Sequence, residues 1–199
     1  MPLAPWLLIA LRLLLGPAII ALALAGAPGW LLVLLLWLGV VSDIFDGIIA
    51  RRLGVATSLL RRCDSQTDLI FFLCVIAACF VRAPAALTPW LPAILALFAL
   101  EGLIYAVSFA RFRREPCTHA YTAKAFGLAM LLALSVLLAR GYTGIPFMTM
   151  LALAAIMQLD CLAIVLTLPR WERDVPSTYH AWRLRQGHTI RRHGLFHSA

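Results

Sequence analysis

The sequence predicts an all-α integral membrane protein with six transmembrane helices. Of its 199 residues, 63% are hydrophobic and only 13% are charged, and the mean hydropathy is +0.92. A soluble domain of this length cannot bury so much apolar surface. The apolar residues form continuous runs rather than the alternation typical of membrane-spanning strands, so the pattern predicts helices.

Each of the six segments is predominantly apolar and has roughly the length, about 20 residues, that a helix needs to cross a bilayer. The predicted spans lie near residues 5–25, 30–50, 66–83, 89–110, 121–140 and 146–168. Glycine and proline clusters at 26–29, 84–89 and 141–146 predict turns between them. The first run begins close to Met1 and lacks a small-residue cleavage pattern, so we expect it to be retained rather than removed as a signal peptide. Residues 1–199 are predicted to form a single membrane-embedded domain, in which 170–199 is a basic cytoplasmic tail.

The net charge of +8 is concentrated in alternate connectors and in the tail. The basic residues on this side are Arg51, Arg52, Arg61, Arg62, Arg111, Arg113, Arg114 and Lys124, followed by the arginines of the tail. The other connectors offer only Arg82 and Arg140. The positive-inside rule therefore places both termini on the cytoplasmic side of an inner (cytoplasmic) membrane. The tail has no convincing alternation of aromatic and basic residues, so nucleic acid is not an expected partner.

Four of the nine acidic residues lie between positions 43 and 68, each next to a long apolar run. On a helix, Asp43 and Asp46 project from one face at a spacing of three residues, and Asp64 and Asp68 do the same at a spacing of four. Carboxylates gathered where two membrane helices meet water repel one another unless a cation binds among them. The pattern therefore predicts a site for divalent metal ions in a polar cavity open to the cytoplasm.

Small residues and an arginine accompany the first aspartate pair. On a helix, Gly47 and Ala50 lie beside Asp46 and leave a shallow notch where a ligand can approach the backbone. Arg51 lies one turn beyond Gly47 and can make a forked contact with a phosphate group. Metal ions that bridge phosphate oxygens, and a carboxylate that accepts a proton from an attacking hydroxyl, are the parts that phosphoryl transfer requires.

The pattern DxxDGxxAR followed by DxxxD resembles the signature of the CDP-alcohol phosphatidyltransferases. The matching positions are Asp43, Asp46, Gly47, Ala50, Arg51, Asp64 and Asp68. The resemblance implies an enzyme of phospholipid biosynthesis that transfers a phosphatidyl group from CDP-diacylglycerol to a small polar alcohol, with release of CMP. Relatives often form homodimers in the lipid bilayer, so a homodimer is also implied.

The same resemblance implies roles for individual residues. The four aspartates would hold two Mg²⁺ or Mn²⁺ ions, and Asp68 would also act as the general base. The CDP pocket would be lined by Gly47, Ala50, Arg51 and Thr57.

This chain departs from the family pattern at several positions. Leu60 stands where the motif has its second glycine, and Trp6 and Ile9 stand where an Asn and a Thr precede the arginine that corresponds to Arg12. Ser65 and Leu69 also differ from the residues found in many relatives that use glycerol phosphate. The acceptor therefore stays open: glycerol 3-phosphate is favoured, and serine and inositol phosphate are the alternatives.

Three further charges lie inside predicted spans, where charge is costly and usually functional. We expect Arg12, Glu101 and Asp160 to line the cytoplasmic cavity, although a structural Arg–carboxylate pair between helices is the alternative. The basic cluster Arg111, Arg113, Arg114 and Lys124 is expected to bind a phosphate on the acceptor; an ordinary positive-inside loop is the alternative reading.

Two other functions fit parts of the pattern. A divalent-cation transporter would use the four aspartates as its binding site, but these lie at one membrane face rather than at the midplane, and Arg51 beside them repels cations. The other function is that of a catalytically silent relative, because Leu60 replaces the second glycine of the motif.

Overall fold

The structure is a computed structural model that describes residues 3–53, 57–116, 121–172 and 175–187. Within these ranges the chain forms eight α-helices and a short 3₁₀ turn, Thr88–Trp90, and contains no strand. The helices are α1 Ala4–Leu24, α2 Gly29–Arg52, α3 Ser58–Arg82, α4 Pro84–Leu87, α5 Leu91–Phe112, α6 Tyr121–Arg140, α7 Ile145–Thr167 and α8 Thr178–Arg185.

Among the described residues, six stretches are long and apolar enough to span a membrane: Ala4–Leu24, Gly29–Ala50, Arg62–Arg82, Pro84–Phe112, Thr122–Arg140 and Ile145–Thr167. Many large apolar side chains on them are exposed, among them Leu14, Leu95 and Leu128. An exposed apolar surface of this extent is expected where a helix faces lipid rather than water. The prediction of an all-α, multi-pass membrane protein is confirmed.

Helix α3 begins at Ser58, well before the predicted span starts at residue 66. The side chain of its N-cap residue Thr57 accepts a hydrogen bond of 3.1 Å from the backbone N–H of Leu60. The first turns of α3 are polar, so hydropathy alone misses them, while the capping interaction starts the helix there. Asp64 and Asp68 therefore lie on one continuous helix, which fixes their spacing.

The chain divides into two compact units. The first comprises Met1–Thr88 and Leu132–Thr143. Within it α1 packs against both α2 and α3. Its fully buried apolar residues include Ile19, Leu36 and Val75.

A close approach of α2 to α3 occurs at Gly39 in this first unit. A Cβ atom added to Gly39 would lie 2.2 Å from the Cζ atom of the Phe71 ring. Phe71 is 1% exposed, so its ring has little room to move away. The missing side chain at Gly39 is what lets this ring pack against α2 one turn after Asp68.

The second unit comprises Pro89–Leu131 and Gly144–Ala199. Here α5 packs against α7, and α7 packs against the short helix α8. The apolar cluster that holds α8 is formed by Ile164, Leu168, Val175 and Ala181, with Phe112 and Leu184 packed against it.

Candidate active site

The four aspartates of the motif converge in the first unit. Asp43 and Asp46 lie on α2, and Asp64 and Asp68 lie on α3. Because α1 packs against both of these helices, a residue on α1 can reach both pairs. That residue is Arg12.

The guanidinium of Arg12 contacts all four carboxylates. Its Nη1 atom donates to Asp43 at 2.8 Å and also to Asp68. Its Nη2 atom donates to Asp64 at 2.6 Å and also to Asp46. Each terminal nitrogen thus joins one carboxylate of α2 to one of α3, a forked geometry that lysine does not offer.

The cluster is buried on one side and open on the other. Arg12 is fully buried, and the Asp46 side chain is 4% exposed. The side chains of Asp43, Asp64 and Asp68 are 42%, 29% and 30% exposed. Four carboxylates face a single guanidinium, so the cluster carries an excess of negative charge and attracts cations from its open side.

The residues present fit a divalent metal ion. Asp43, Asp64 and Asp68 each offer a carboxylate oxygen, and these oxygens lie within 4.8 Å of one another. Oxygen donors of this kind are the ligands that Mg²⁺ and Mn²⁺ prefer. Asp46 lies deeper and contacts Arg12.

The predicted nucleotide-binding residues have different environments. Ala50 is 7% exposed and shares a buried apolar cluster with Ile9 and Leu60. Thr57 caps α3 through its side chain, and Gly47 lies on α2 directly after Asp46. The side chain of Arg51 lies outside the described residues.

The two acidic residues predicted in the other spans belong to the second unit. Glu101 on α5 accepts a hydrogen bond of 3.2 Å from the Nε2 atom of Gln158 on α7. Asp160 accepts from the hydroxyl of Thr178 at 2.6 Å and from its backbone N–H at 3.2 Å. The Asp160 carboxylate therefore holds the start of α8 against α7.

The predicted acceptor-binding residues also lie in the second unit. Arg111 donates to the backbone carbonyls of Val165 at 2.7 Å and Leu168 at 3.1 Å, at the end of α7. The guanidinium carbon of Arg114 lies 4.7 Å from the centroid of the Trp171 ring. These are stabilising intramolecular contacts, a cap on unpaired helix carbonyls and a cation–π interaction.

The other two members of the basic cluster, Arg113 and Lys124, lie at the end of α5 and near the start of α6. Arg113 is exposed and forms the C-cap of α5 with a φ of 55°, in the left-handed region. Lys124 lies in the first turns of α6.

Sequence reasoning missed two features of these sites. The first is that Arg12 contacts every aspartate of the motif. The sequence did carry a sign of this contact, because Arg12 is an isolated cation in an apolar span. The second is Thr178, the partner of Asp160, which lies 18 residues further along the chain. No local pattern indicated this pairing, because it depends on how the chain turns back after α7.

Membrane-spanning helices that bring together four carboxylates, three of which offer oxygens close enough to hold one cation, are compatible with the chemistry of phosphoryl transfer. The sequence matches the family of CDP-alcohol phosphatidyltransferases over residues 2–167. The chain therefore belongs to this family. Comparison with curated proteins and with solved structures found no match.

Membership of this family confirms several predictions. The protein is a transferase of substituted phosphate groups, and its reaction is the transfer of a phosphatidyl group from a CDP-alcohol to an alcohol. It acts in phospholipid biosynthesis and in a membrane environment.

Proposed function

We propose that the protein transfers the phosphatidyl group of CDP-diacylglycerol to a small polar alcohol, with glycerol 3-phosphate as the favoured acceptor, and releases CMP. The observation that carries this proposal is the convergence of Asp43, Asp46, Asp64 and Asp68 from two helices. The acceptor hydroxyl attacks the phosphorus that bears the diacylglycerol group. The bond from this phosphorus to the oxygen of CMP breaks, and CMP leaves.

The carboxylates have distinct tasks in this reaction. Asp43, Asp64 and Asp68 present the oxygens that would hold Mg²⁺ or Mn²⁺. Asp46 would complete the set of four aspartates that the family resemblance implies for two ions. When bound, the ions would supply positive charge to the diphosphate oxygens. Asp68 is the proposed general base by its position in the family motif, and its side chain is partly exposed, as are those of Asp43 and Asp64.

The nucleotide is proposed to bind along the end of α2. Gly47 and Ala50 lie on this helix just after Asp46 and have small or no side chains. Arg51, by its position in the motif, would contact the diphosphate. Thr57 is expected to line the nucleotide site from the start of α3. Its hydroxyl oxygen accepts a hydrogen bond from the backbone N–H of Leu60.

The choice of glycerol 3-phosphate rests on the basic cluster. Arg113 is exposed at the end of α5, and it is the member of the cluster that we favour for the acceptor phosphate. Arg111 and Arg114 already contact backbone carbonyls and Trp171. Serine and inositol phosphate are the alternative acceptors.

We further propose that the aspartate cluster faces the cytoplasm from an inner (cytoplasmic) membrane. The asymmetric distribution of arginine between the connectors supports this orientation. Three further expectations stay predictions: a single domain over 1–199, a cavity lined by Arg12, Glu101 and Asp160, and a homodimer.

The reaction is tested by measuring CMP release from CDP-diacylglycerol by the purified full chain. Glycerol 3-phosphate, serine and inositol phosphate are supplied separately, each with Mg²⁺, with Mn²⁺ or with EDTA. We expect metal-dependent release with glycerol 3-phosphate. Release with only one of the other acceptors would overturn the acceptor assignment and leave the reaction in place.

The role of Asp68 is tested with Asp68→Asn in the same assay. Asparagine keeps the size of the side chain but does not accept a proton, so we expect turnover to fall by about 10²-fold or more. Glu115→Gln is the matched control, because Glu115 is an exposed acidic residue in the second unit and should tolerate the change. Full turnover in Asp68→Asn would exclude Asp68 as the base.

A further inference from the structure

The contact between Arg12 and the aspartates raises the question of what the guanidinium does when a metal ion binds. Arg12 donates to one oxygen of each carboxylate through its two terminal nitrogens. Three of these four carboxylates, those of Asp43, Asp64 and Asp68, are the ones whose oxygens lie close enough to hold a metal ion together. The guanidinium and a metal ion therefore depend on the same ligands.

A guanidinium and a divalent ion in the same carboxylate set repel each other strongly. The Nη1 atom already bridges Asp43 and Asp68, so an ion that joined these two carboxylates would be in the immediate neighbourhood of this nitrogen. Arg12 is fully buried, and water screens such a repulsion poorly there. Exchange of one cation for the other is thus favoured over binding of both in these positions.

The Nε atom of Arg12 adds no hydrogen bond within the described residues that would resist the exchange of the guanidinium for a metal ion. This nitrogen is buried and has no hydrogen-bond partner among the residues that the structure describes. The side chain is thus held through its two terminal nitrogens, and these contacts are the ones that a metal ion would replace.

We propose that Arg12 is an internal cation that occupies the aspartate cluster in the metal-free protein and is displaced from Asp43, Asp64 and Asp68 when a divalent metal ion binds. This proposal rests on the metal site of the proposed function. It assigns Arg12 two effects: the guanidinium holds α1, α2 and α3 together before metal binds, and it weakens metal binding by competition.

The test is a measurement of Mn²⁺ binding and of thermal unfolding for the purified full chain and Arg12→Gln. Glutamine removes the positive charge and keeps a polar side chain. We expect Arg12→Gln to bind Mn²⁺ more tightly by about tenfold or more, as measured by electron paramagnetic resonance of the unbound ion. In EDTA we expect its Tm to be lower than that of the wild type, and saturating Mn²⁺ should reduce this difference.

Two further variants sharpen the result. Arg82→Gln removes a guanidinium from the far end of α3 and should leave Mn²⁺ affinity unchanged. Arg12→Lys keeps the charge but not the fork that reaches four carboxylates, so its affinity should lie between those of the wild type and Arg12→Gln. If Arg12→Gln does not fold, Arg12→Lys alone decides, because competition predicts tighter binding than in the wild type.

The outcomes separate the proposals. The exchange would be overturned if the wild type binds Mn²⁺ and the folded Arg12 variants bind it equally well or more weakly. The metal site would then stay in place. Absence of Mn²⁺ binding in the wild type and in every Arg12 variant would overturn the metal site itself, and the exchange with it.

Discussion

Leu60 and Ile9 lie in one buried cluster, completed by Ala50. Both residues depart from the family pattern, which has a glycine and a threonine at these positions. Leu60 is 5% exposed and Ile9 7% exposed, so each departure adds apolar volume to the same small space between α1 and the start of α3. The two departures are thus linked by packing.

The first prediction is that Ile9 and Leu60 are energetically coupled. We expect the effects of Ile9→Ala and Leu60→Ala on the free energy of unfolding to be non-additive by about 0.5–3 kcal/mol, because residues in one cluster share the cost of a cavity. Denaturant unfolding of the two single variants and the double variant measures this. Leu60→Ala combined with Val175→Ala in the second unit is the control pair and should be additive; additivity of the Ile9 pair as well would contradict the coupling.

A second prediction concerns Gly39. Gly39→Ala places a methyl group against the Phe71 ring and should destabilise the protein by about 1–3 kcal/mol through overpacking. Because Phe71 follows Asp68 by one turn of α3, CMP release should fall as well. Gly102→Ala on α5 is the matched control, since a Cβ atom there meets nothing within 4 Å, and alanine should be neutral or stabilise the helix by up to about 1 kcal/mol. Equal Tm values for the two variants would refute the close approach.

A third prediction concerns the anchoring of α8 by Asp160. Thr178→Val removes the hydroxyl that donates to Asp160 and leaves that carboxylate without this bond. A hydrogen bond to a charged group contributes about 1.5–3 kcal/mol, so local opening of α8 should increase about tenfold or more. Trypsin cleavage at the exposed Arg183 and Arg185 measures this opening. Thr178→Ser keeps the hydroxyl and should be cleaved at the wild-type rate. Thr178→Val keeps a methyl group, so rapid cleavage of Thr178→Ser together with wild-type cleavage of Thr178→Val would show that methyl packing, not the bond, holds α8.

Much of this architecture could be predicted from the sequence, because membrane spans depend on local hydropathy. The four aspartates could be paired in advance since their spacings are short and lie within helices. The start of α3 could not be predicted, because its first turns are polar and the helix depends on the Thr57 cap. The partners of Asp160 and Arg111 could not be predicted either, since they lie 18 and more than 50 residues away in sequence. Their pairing follows from tertiary packing that no periodicity encodes.

A fourth prediction separates two arginines of the basic cluster that sequence alone treats alike. Arg111 donates to carbonyls at the end of α7, whereas Arg113 occupies a left-handed C-cap position and is exposed. Arg111→Gln leaves these carbonyls without their charged donor, so we expect a loss of about 1–3 kcal/mol of stability. Arg113→Gly places at this φ the residue that adopts it with the least strain, so stability should be kept or should rise by up to about 1 kcal/mol.

The two variants should also differ in the assay. If Arg113 binds the acceptor phosphate, Arg113→Gly raises the KM for glycerol 3-phosphate by about tenfold while its Tm is maintained, because one charge-assisted contact is lost. Arg113→Lys should restore part of this affinity, since it returns the charge without the fork. An unchanged KM in Arg113→Gly would remove Arg113 from the acceptor site and favour its role as a positive-inside residue at the membrane surface.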